Sequence, residues 1–282
     1  MIIDAHQHFW DLDRLVYPWL AADGLEPIRR SFDPTALESR LDACGVDRTV
    51  LVQSLDSTED TDFMLEVADR WPRVAAVVGW VPLTDPDAAA AMLAERAKDP
   101  RFVGVRHLIH DEPDEDWLLR EDVGVGLEVL AVSGLTFDVV AVSPRHLAQV
   151  SVIAERHPDL RLVIDHLAKP PIAAGGRQPW AELLGRAAAH PHVYAKISGL
   201  NTAARPGWTA DDLRPYVEHA VDVFGPERLM YGGDWPVATL ADDYERVWSE
   251  TGRVLAELSQ DERASVLGGT AAEFYRIPEV DR

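Results

Sequence analysis

The chain has 282 residues, 47% of them apolar, and a formal net charge of −21. Acidity on that scale repels phosphate backbones and anionic bilayers, so neither nucleic acid nor a membrane surface is an expected partner. No run of about 20 apolar residues exists to cross a bilayer, the start MIIDAHQ lacks the basic-then-apolar pattern of a secretory leader, and the lone Cys44 cannot form an internal disulfide, so a cytoplasmic, reducing setting is expected.

The first β-rich run, MIIDAH (1–6), leads into DAHQH. Strand alternation predicts Asp4, His6 and His8 on one side and Ala5 and Gln7 on the other. Two imidazoles about 7 Å apart along a strand can converge on one point. That point is a metal ion or an oxygen that takes two hydrogen bonds; a structural pair satisfied by backbone groups is the alternative. Tyr17 and Trp19 follow in the next loop as candidate aromatic contacts for a ligand. Asp33-Pro34 then opens a helix over DPTALESRLDAC, with Asp as N-cap, Pro in the first turn and Gly45 as the stop. Cys44 in that pattern reads as a buried small residue.

The runs TVLVQ (49–53) and AAVVGWV (75–81) precede a second Asp-Pro helix start at Asp85-Pro86. FVGVRH (102–107) ends in Arg106 and His107, and LTFDVV (135–140) carries Asp138. Ser143-Pro144 opens the next helix. RLVIDH (161–166) ends in Asp165 and His166, with Lys169 just beyond, and VYAKIS (193–198) carries Lys196 and Ser198. Thr209 with Asp212, and Ser259 with Glu262, form capping-box patterns, and Gly225 closes LRPYVEHAVDVF. LMYGGD (229–234) ends in Asp234.

These β-rich runs are short, β-branched and without clean alternation, as expected of strands buried on both faces of a parallel sheet. Eight strand–helix units predict a (β/α)8 TIM barrel, read as a single domain over 1–282. A doubly wound sheet is the alternative, but no Gly-rich phosphate fingerprint follows the first strand. Barrel active sites lie at the C-terminal strand ends. Closure sets strand eight beside strand one, so Asp234 is expected near His6 and His8. Charged groups at strand ends are a poor choice for packing alone, because buried charges need partners.

DAHQHFWD, GVRHLIHDEPDEDWLL, VIDHLAKP, MYGGDWPV and LGGTAAEFYRI, in this order from residue 4 to about residue 277, resemble the amidohydrolase superfamily (amidohydrolase-related family 2). Within it they resemble the sugar-lactonase branch of L-fuconolactone hydrolases, with relatives acting on rhamnonolactone, sulfomuconolactone and pyrone dicarboxylate. The resemblance implies an amidohydrolase-type (β/α)8 barrel that opens a lactone ring. It carries over His6, His8, His166 and Asp234 as catalytic residues and as the ligands of a metal, if one is bound. Arg106 and His107 match the family's G-x-R-H stretch and are expected to contact substrate.

Asp138 stands where a bridging carboxylate could serve, but strand seven offers no histidine, which argues against a two-metal site. One divalent metal, zinc or manganese, and a metal-independent site both stay open. Asp234 is the expected general base, with His6, His8 and His166 polarising the carbonyl directly or through the metal. Trp19 and Lys169 complete the expected substrate contacts, and Trp235 is a further aromatic candidate. Arg106 has an ion pair with Asp111 or Glu112 as its structural alternative; Lys169 has a solvated loop position. His110, His146, His157, His190, His192 and His219 are expected outside the chemistry.

The expected partner is a neutral small-molecule sugar lactone, taken by a monomer or homo-oligomer. A metal-dependent decarboxylase on the same residues and a non-catalytic sugar-acid-binding barrel are the competing readings. A pure binder has no need of a base beside three imidazoles.

Overall fold

Short apolar runs and capped helices alternate along the chain and resolve into one repeating unit. The computed structural model describes residues 1–278. Eight strands, β1 (Ile3–Gln7), β2 (Arg48–Val52), β3 (Val74–Gly79), β4 (Phe102–His107), β5 (Thr136–Val139), β6 (Arg161–Ile164), β7 (Val193–Ile197) and β8 (Leu229–Tyr231), pair in parallel in chain order. Helices α1 (Pro34–Cys44), α2 (Thr58–Arg70), α3 (Pro86–Arg96), α4 (Glu121–Val132), α5 (Pro144–Arg156), α6 (Trp180–Ala188), α7 (Ala210–Phe224) and α8 (Tyr244–Leu255) follow them one for one. The seam closes just past β8: the Asp234 amide donates to the His6 carbonyl at 2.7 Å and the His8 amide to the Trp235 carbonyl at 2.8 Å. The fold is therefore the (β/α)8 barrel.

Local chemistry explains the helix boundaries. The side chains of Asp33, Asp85 and Ser143 accept from the amides of Thr35, Ala88 and His146, satisfying N–H groups that no helical carbonyl reaches. Both capping boxes form, at Thr209/Asp212 and Ser259/Glu262. Gly45 ends α1 in the left-handed region. Cys44, read as buried, is half-buried at that helix end. Among the described residues no helix is long and apolar enough to cross a membrane.

The barrel interior is filled, not hollow. Ile3, Ala5, Val50, Val52, Ala76 and Val78 form its lower layers, and Phe274 and Tyr275, at the end of a short helix over Thr270–Phe274, join them. A second layer packs between strands and helices, where Leu127, Leu130, Phe137, Leu147 and Val150 are fully buried. Each such side chain contributes roughly 1.5–3 kcal/mol relative to exposure.

One expectation about β1 is corrected. Asp4 does not share a side with His6. Ile3 and Ala5 face the barrel interior, whereas Asp4 accepts from the Tyr244 hydroxyl of α8 at 2.9 Å and from the Gly233 amide at 2.8 Å. The pairing register with β2 slips between Asp4 and Gln7. This bulge breaks the two-residue alternation and lets His6 turn inward after Ala5.

Candidate active site

The strand ends deliver His6 and His8 from β1, Arg106 from β4, Asp165 and His166 from the end of β6, and Asp234 from the end of β8. All six are nearly or completely buried. Two of their backbones are unusual. His166, Leu167, Ala168 and Lys169 form a left-handed turn with φ between 48° and 58°, and Asp234 has φ 51°. Non-glycine residues there cost roughly 1–2 kcal/mol each, and such strain gathers where side-chain direction matters.

The centre is a triangle. His6 Nε2 lies 3.1 Å from His8 Nε2, and Asp234 Oδ1 lies 3.9 Å from the first and 3.6 Å from the second. His8 Nδ1 donates to the Val52 carbonyl at 2.7 Å, so its Nε2 presents a lone pair. His166 Nδ1 meets Ser198 Oγ at 2.9 Å and stands 4.0 Å from Asp234 Oδ2, a buried oxygen without a hydrogen-bond partner. Gly199 (φ +58°) backs this corner: a Cβ there would lie 2.4 Å from Asp234 Oδ2.

Charge is organised in two tiers. Beneath the triangle, Lys196 is completely buried between the Asp138 carboxylate and Asp165 Oδ1, the latter at 3.1 Å. Asp165 also takes Arg106 Nη1 at 3.1 Å through Oδ2. Tyr275 OH donates to Asp138 Oδ2 at 2.8 Å. Burial pushes the Asp138 carboxyl up to about 6, against the pull of Lys196. Burial opposes ionisation of Asp165 too, but Lys196 and His6 outweigh it and hold that carboxyl well below its ordinary range.

In the upper tier, burial pushes all three imidazoles down, His166 to about 3, which favours their neutral forms. Asp234 is the carboxylate among them. Burial alone would raise it; the facing imidazoles of His166 and His8 and the nearby Lys169 ammonium keep it below the usual carboxylate range.

The triangle opens into a cavity of about 250 Å3. Its polar wall includes His8, Arg106, His110, His166, Lys169 and Asp234, and Trp19, Leu25, Leu108, Val140, Val142 and Val237 supply apolar surface. Trp19 is pinned there by its indole N–H, which donates to the Ser54 carbonyl at 2.8 Å. Lys169 lines the cavity and donates to Thr202 Oγ1 at 3.0 Å, so it is no solvated loop lysine. His110, expected outside the chemistry, stands in the wall.

Several candidates sit elsewhere. His107 is stacked on Trp117 with ring centroids 3.9 Å apart, meets Glu112 Oε1 at 2.7 Å and takes the Trp80 indole N–H at 3.1 Å. Both its nitrogens are occupied and it is not in the cavity wall, which corrects its expected contact with substrate. Arg106 pairs with Asp165, not with Asp111 or Glu112, because its side chain points into the barrel. Tyr17 is buried with its hydroxyl on Asp60 at 2.9 Å. Trp235 is packed edge-on between Phe9 and Phe32. The sequence marks Asp165 and Lys196 as strand residues without assigning them a part in the site. Their signal was a charged residue in an otherwise apolar strand, which demands a buried partner.

The amidohydrolase family model matches residues 3–277. The chain belongs to the amidohydrolase family. It is similar to an L-fucono-1,5-lactonase of Burkholderia ambifaria, with 44% identity over 98% of this chain and 95% of the relative. A second L-fucono-1,5-lactonase, of Burkholderia multivorans, is 38% identical over 98% of this chain and 96% of its own. Among solved structures, an amidohydrolase of Burkholderia multivorans with bound zinc superposes with a TM-score of 0.89 at 37% identity, covering 99% of this chain and 100% of that one.

The residues of this amidohydrolase fit one divalent ion. His6 Nε2, His8 Nε2 and Asp234 Oδ1 lie close enough together for one ion to reach all three. His8 already presents its lone pair, and Asp165 Oδ1 stands 3.2 Å from His6 Nδ1, the place for a carboxylate that orients a ligating imidazole. Two imidazoles and a carboxylate suit zinc, and manganese less strongly.

Proposed function

We propose that this amidohydrolase is a lactonase that opens a sugar (aldono)lactone, L-fuconolactone or a close relative, to the aldonic acid. The observation that carries the proposal is the buried meeting of the Asp234 carboxylate with three imidazoles at the floor of a small cavity, in a chain 44% identical to an L-fucono-1,5-lactonase. That degree of likeness favours ester hydrolysis over decarboxylation on the same residues, and a binding barrel would not need a buried base.

Lactone hydrolysis needs an activated water, a polarised carbonyl and a proton for the departing ring oxygen. Asp234 takes a proton from water as the water oxygen bonds to the carbonyl carbon. Its support as base is the unpartnered Oδ2 and its position facing the three imidazoles at the cavity floor. When the bond from carbon to ring oxygen breaks, the same carboxyl returns that proton to the alkoxide, leaving a hydroxy acid. A weak base suffices, because the proton is passed on within the same cycle.

The carbonyl oxygen gathers negative charge in the tetrahedral intermediate. Arg106 and Lys169 are the cations in the cavity wall and stabilise it there. His8 cannot donate to that oxygen while its Nδ1–H is committed to Val52. Its part is to accept, from His6 or by ligation. A divalent ion held by His6, His8 and Asp234 supplies Lewis-acid polarisation when bound. Trp19 and the valines of the wall offer the apolar surface for a sugar-ring face and its methyl end.

The substrate is taken to be neutral, since the cavity cations are already partly committed, and we assign residues 1–282 to one catalytic unit working in the cytoplasm. A pH-indicator screen across aldonolactones should show acid release from the L-fucono or L-galactono members. Silence across the panel rejects the substrate class. Asp234→Asn should lower turnover at least about 1000-fold with its circular dichroism unchanged; near-normal turnover in that variant rejects the assigned base.

A further inference from the structure

Lys196 has no place in the reaction described above, yet it is completely buried in the barrel interior. Its Nζ lies 3.1 Å from His6 Nδ1 with hydrogen-bonding geometry. An ammonium only donates, so His6 Nδ1 accepts and carries no proton. At the other end of the histidine pair the Val52 carbonyl only accepts, so His8 Nδ1 carries its proton. One proton then belongs between the two Nε2 atoms, 3.1 Å apart, and it sits on His6. The chain of donors runs from Lys196 through His6 and His8 to Val52, with every link satisfied.

Metal ligation demands the opposite tautomer. His6 Nε2 must then offer a lone pair, and its proton must move to Nδ1. An acceptor already waits there: Asp165 Oδ1, 3.2 Å away and without a directed hydrogen bond of its own. Lys196 and Asp165 thus compete for one nitrogen.

We propose that Lys196 is a positioning residue that holds His6 in the Nε2–H tautomer, so that the His6–His8–Asp234 triangle resists a divalent ion until the ammonium is drawn off Nδ1. The exchange conserves protons: Nε2 loses one, Nδ1 gains one, and Asp165 accepts the new hydrogen bond. The lysine charge adds a repulsion toward any divalent cation on the far side of the ring. None of this depends on which lactone is the substrate.

Two measurements test it. In the whole metal-free protein, 15N NMR of the histidine rings, with His6 identified by the signals lost in His6→Asn, should show a protonated Nε2 and a bare Nδ1. The reverse assignment overturns the proposal. Second, zinc affinity is measured by competition with a chromophoric chelator. Lys196→Met leaves Asp138 unpaired, so it is combined with Asp138→Asn, and Asp138→Asn alone is the control; Asp165 keeps Arg106 in both. The double variant should bind zinc about tenfold tighter than the control, the scale expected when the partner of a ligating histidine changes, and its His6 should move toward the Nδ1–H form. Unchanged or weaker zinc binding in a folded double variant overturns the proposal. If the double variant does not fold, the NMR assignment in the unaltered chain decides alone.

Discussion

Replacing Gly199 by alanine tests the site geometry without deleting any reacting group. The residue has φ +58°, and an added Cβ would stand 2.4 Å from Asp234 Oδ2 and 2.9 Å from His166 Nδ1. Restoring an ordinary contact of about 3.4 Å requires the carboxylate to move by roughly 1 Å, and a displacement of that size costs about 100-fold in rate. Asp234 has little room to yield, because Oδ1 faces the two Nε2 atoms on its other side. A 100-fold loss is about 2.7 kcal/mol of transition-state stabilisation. Alanine at positive φ adds roughly 1–2 kcal/mol of lost stability. Gly24→Ala separates the two effects, since Gly24 has φ +84° and nothing within 4 Å of its would-be Cβ. Lactone hydrolysis followed by acid release, with thermal melts alongside, should show both variants slightly less stable and only Gly199→Ala slow. A folded Gly199→Ala enzyme within about threefold of the parent kcat/KM refutes the reasoning.

Two further outcomes are expected. Burial raises the Asp60 carboxyl from 3.8 to about 6. Its protonated form therefore favours folding below the unfolded value, and that contribution is lost as pH rises through about 6. Between about pH 5 and about pH 7.5 the loss is about 1.4 kcal/mol, so urea unfolding should show Asp60→Asn gaining that much on the parent over the interval; a constant difference contradicts the burial effect. Tyr275→Phe removes the hydroxyl that meets Asp138 Oδ2 at 2.8 Å. It should cost about 1–3 kcal/mol, read as a lowered Tm, and an unchanged Tm would show that the carboxylate finds another donor.

The barrel was legible because its information is repetitive. Most strands announce themselves as short β-branched runs, and Asp33, Asp85 and Ser143 each mark a helix start with a side chain that caps it. The meeting of His6, His8, His166 and Asp234 was legible because barrel closure turns strand ends that are distant in sequence into neighbours. Side-chain direction was harder. The β1 bulge defeats simple alternation, so Asp4 points to α8 while His6 turns inward. His107 follows Arg106 directly, yet stacking on Trp117 and hydrogen bonds with Trp80 and Glu112 draw it away from the cavity. Trp19 and Trp235 look alike in composition; only the folded loops decide that one lines the cavity and the other joins Phe9 and Phe32. The Lys196 network needed four strands, β1, β5, β6 and β7, in register before its partners could be named.

The two hydrogen bonds that close the barrel are made by the backbones of residues that flank the chemistry: Asp234 to His6, and His8 to Trp235. Closure and catalytic alignment are therefore one event, made across more than two hundred residues of intervening chain. The joining strand β8 is only three residues long. Local opening at this joint would part the base from the histidines while the rest of the barrel stayed folded. Conversely, a molecule held between His8 and Asp234 acts as a clasp on both ends of the sheet. Its binding is then returned as stability of the whole barrel, rising with the logarithm of ligand concentration once the site is saturated.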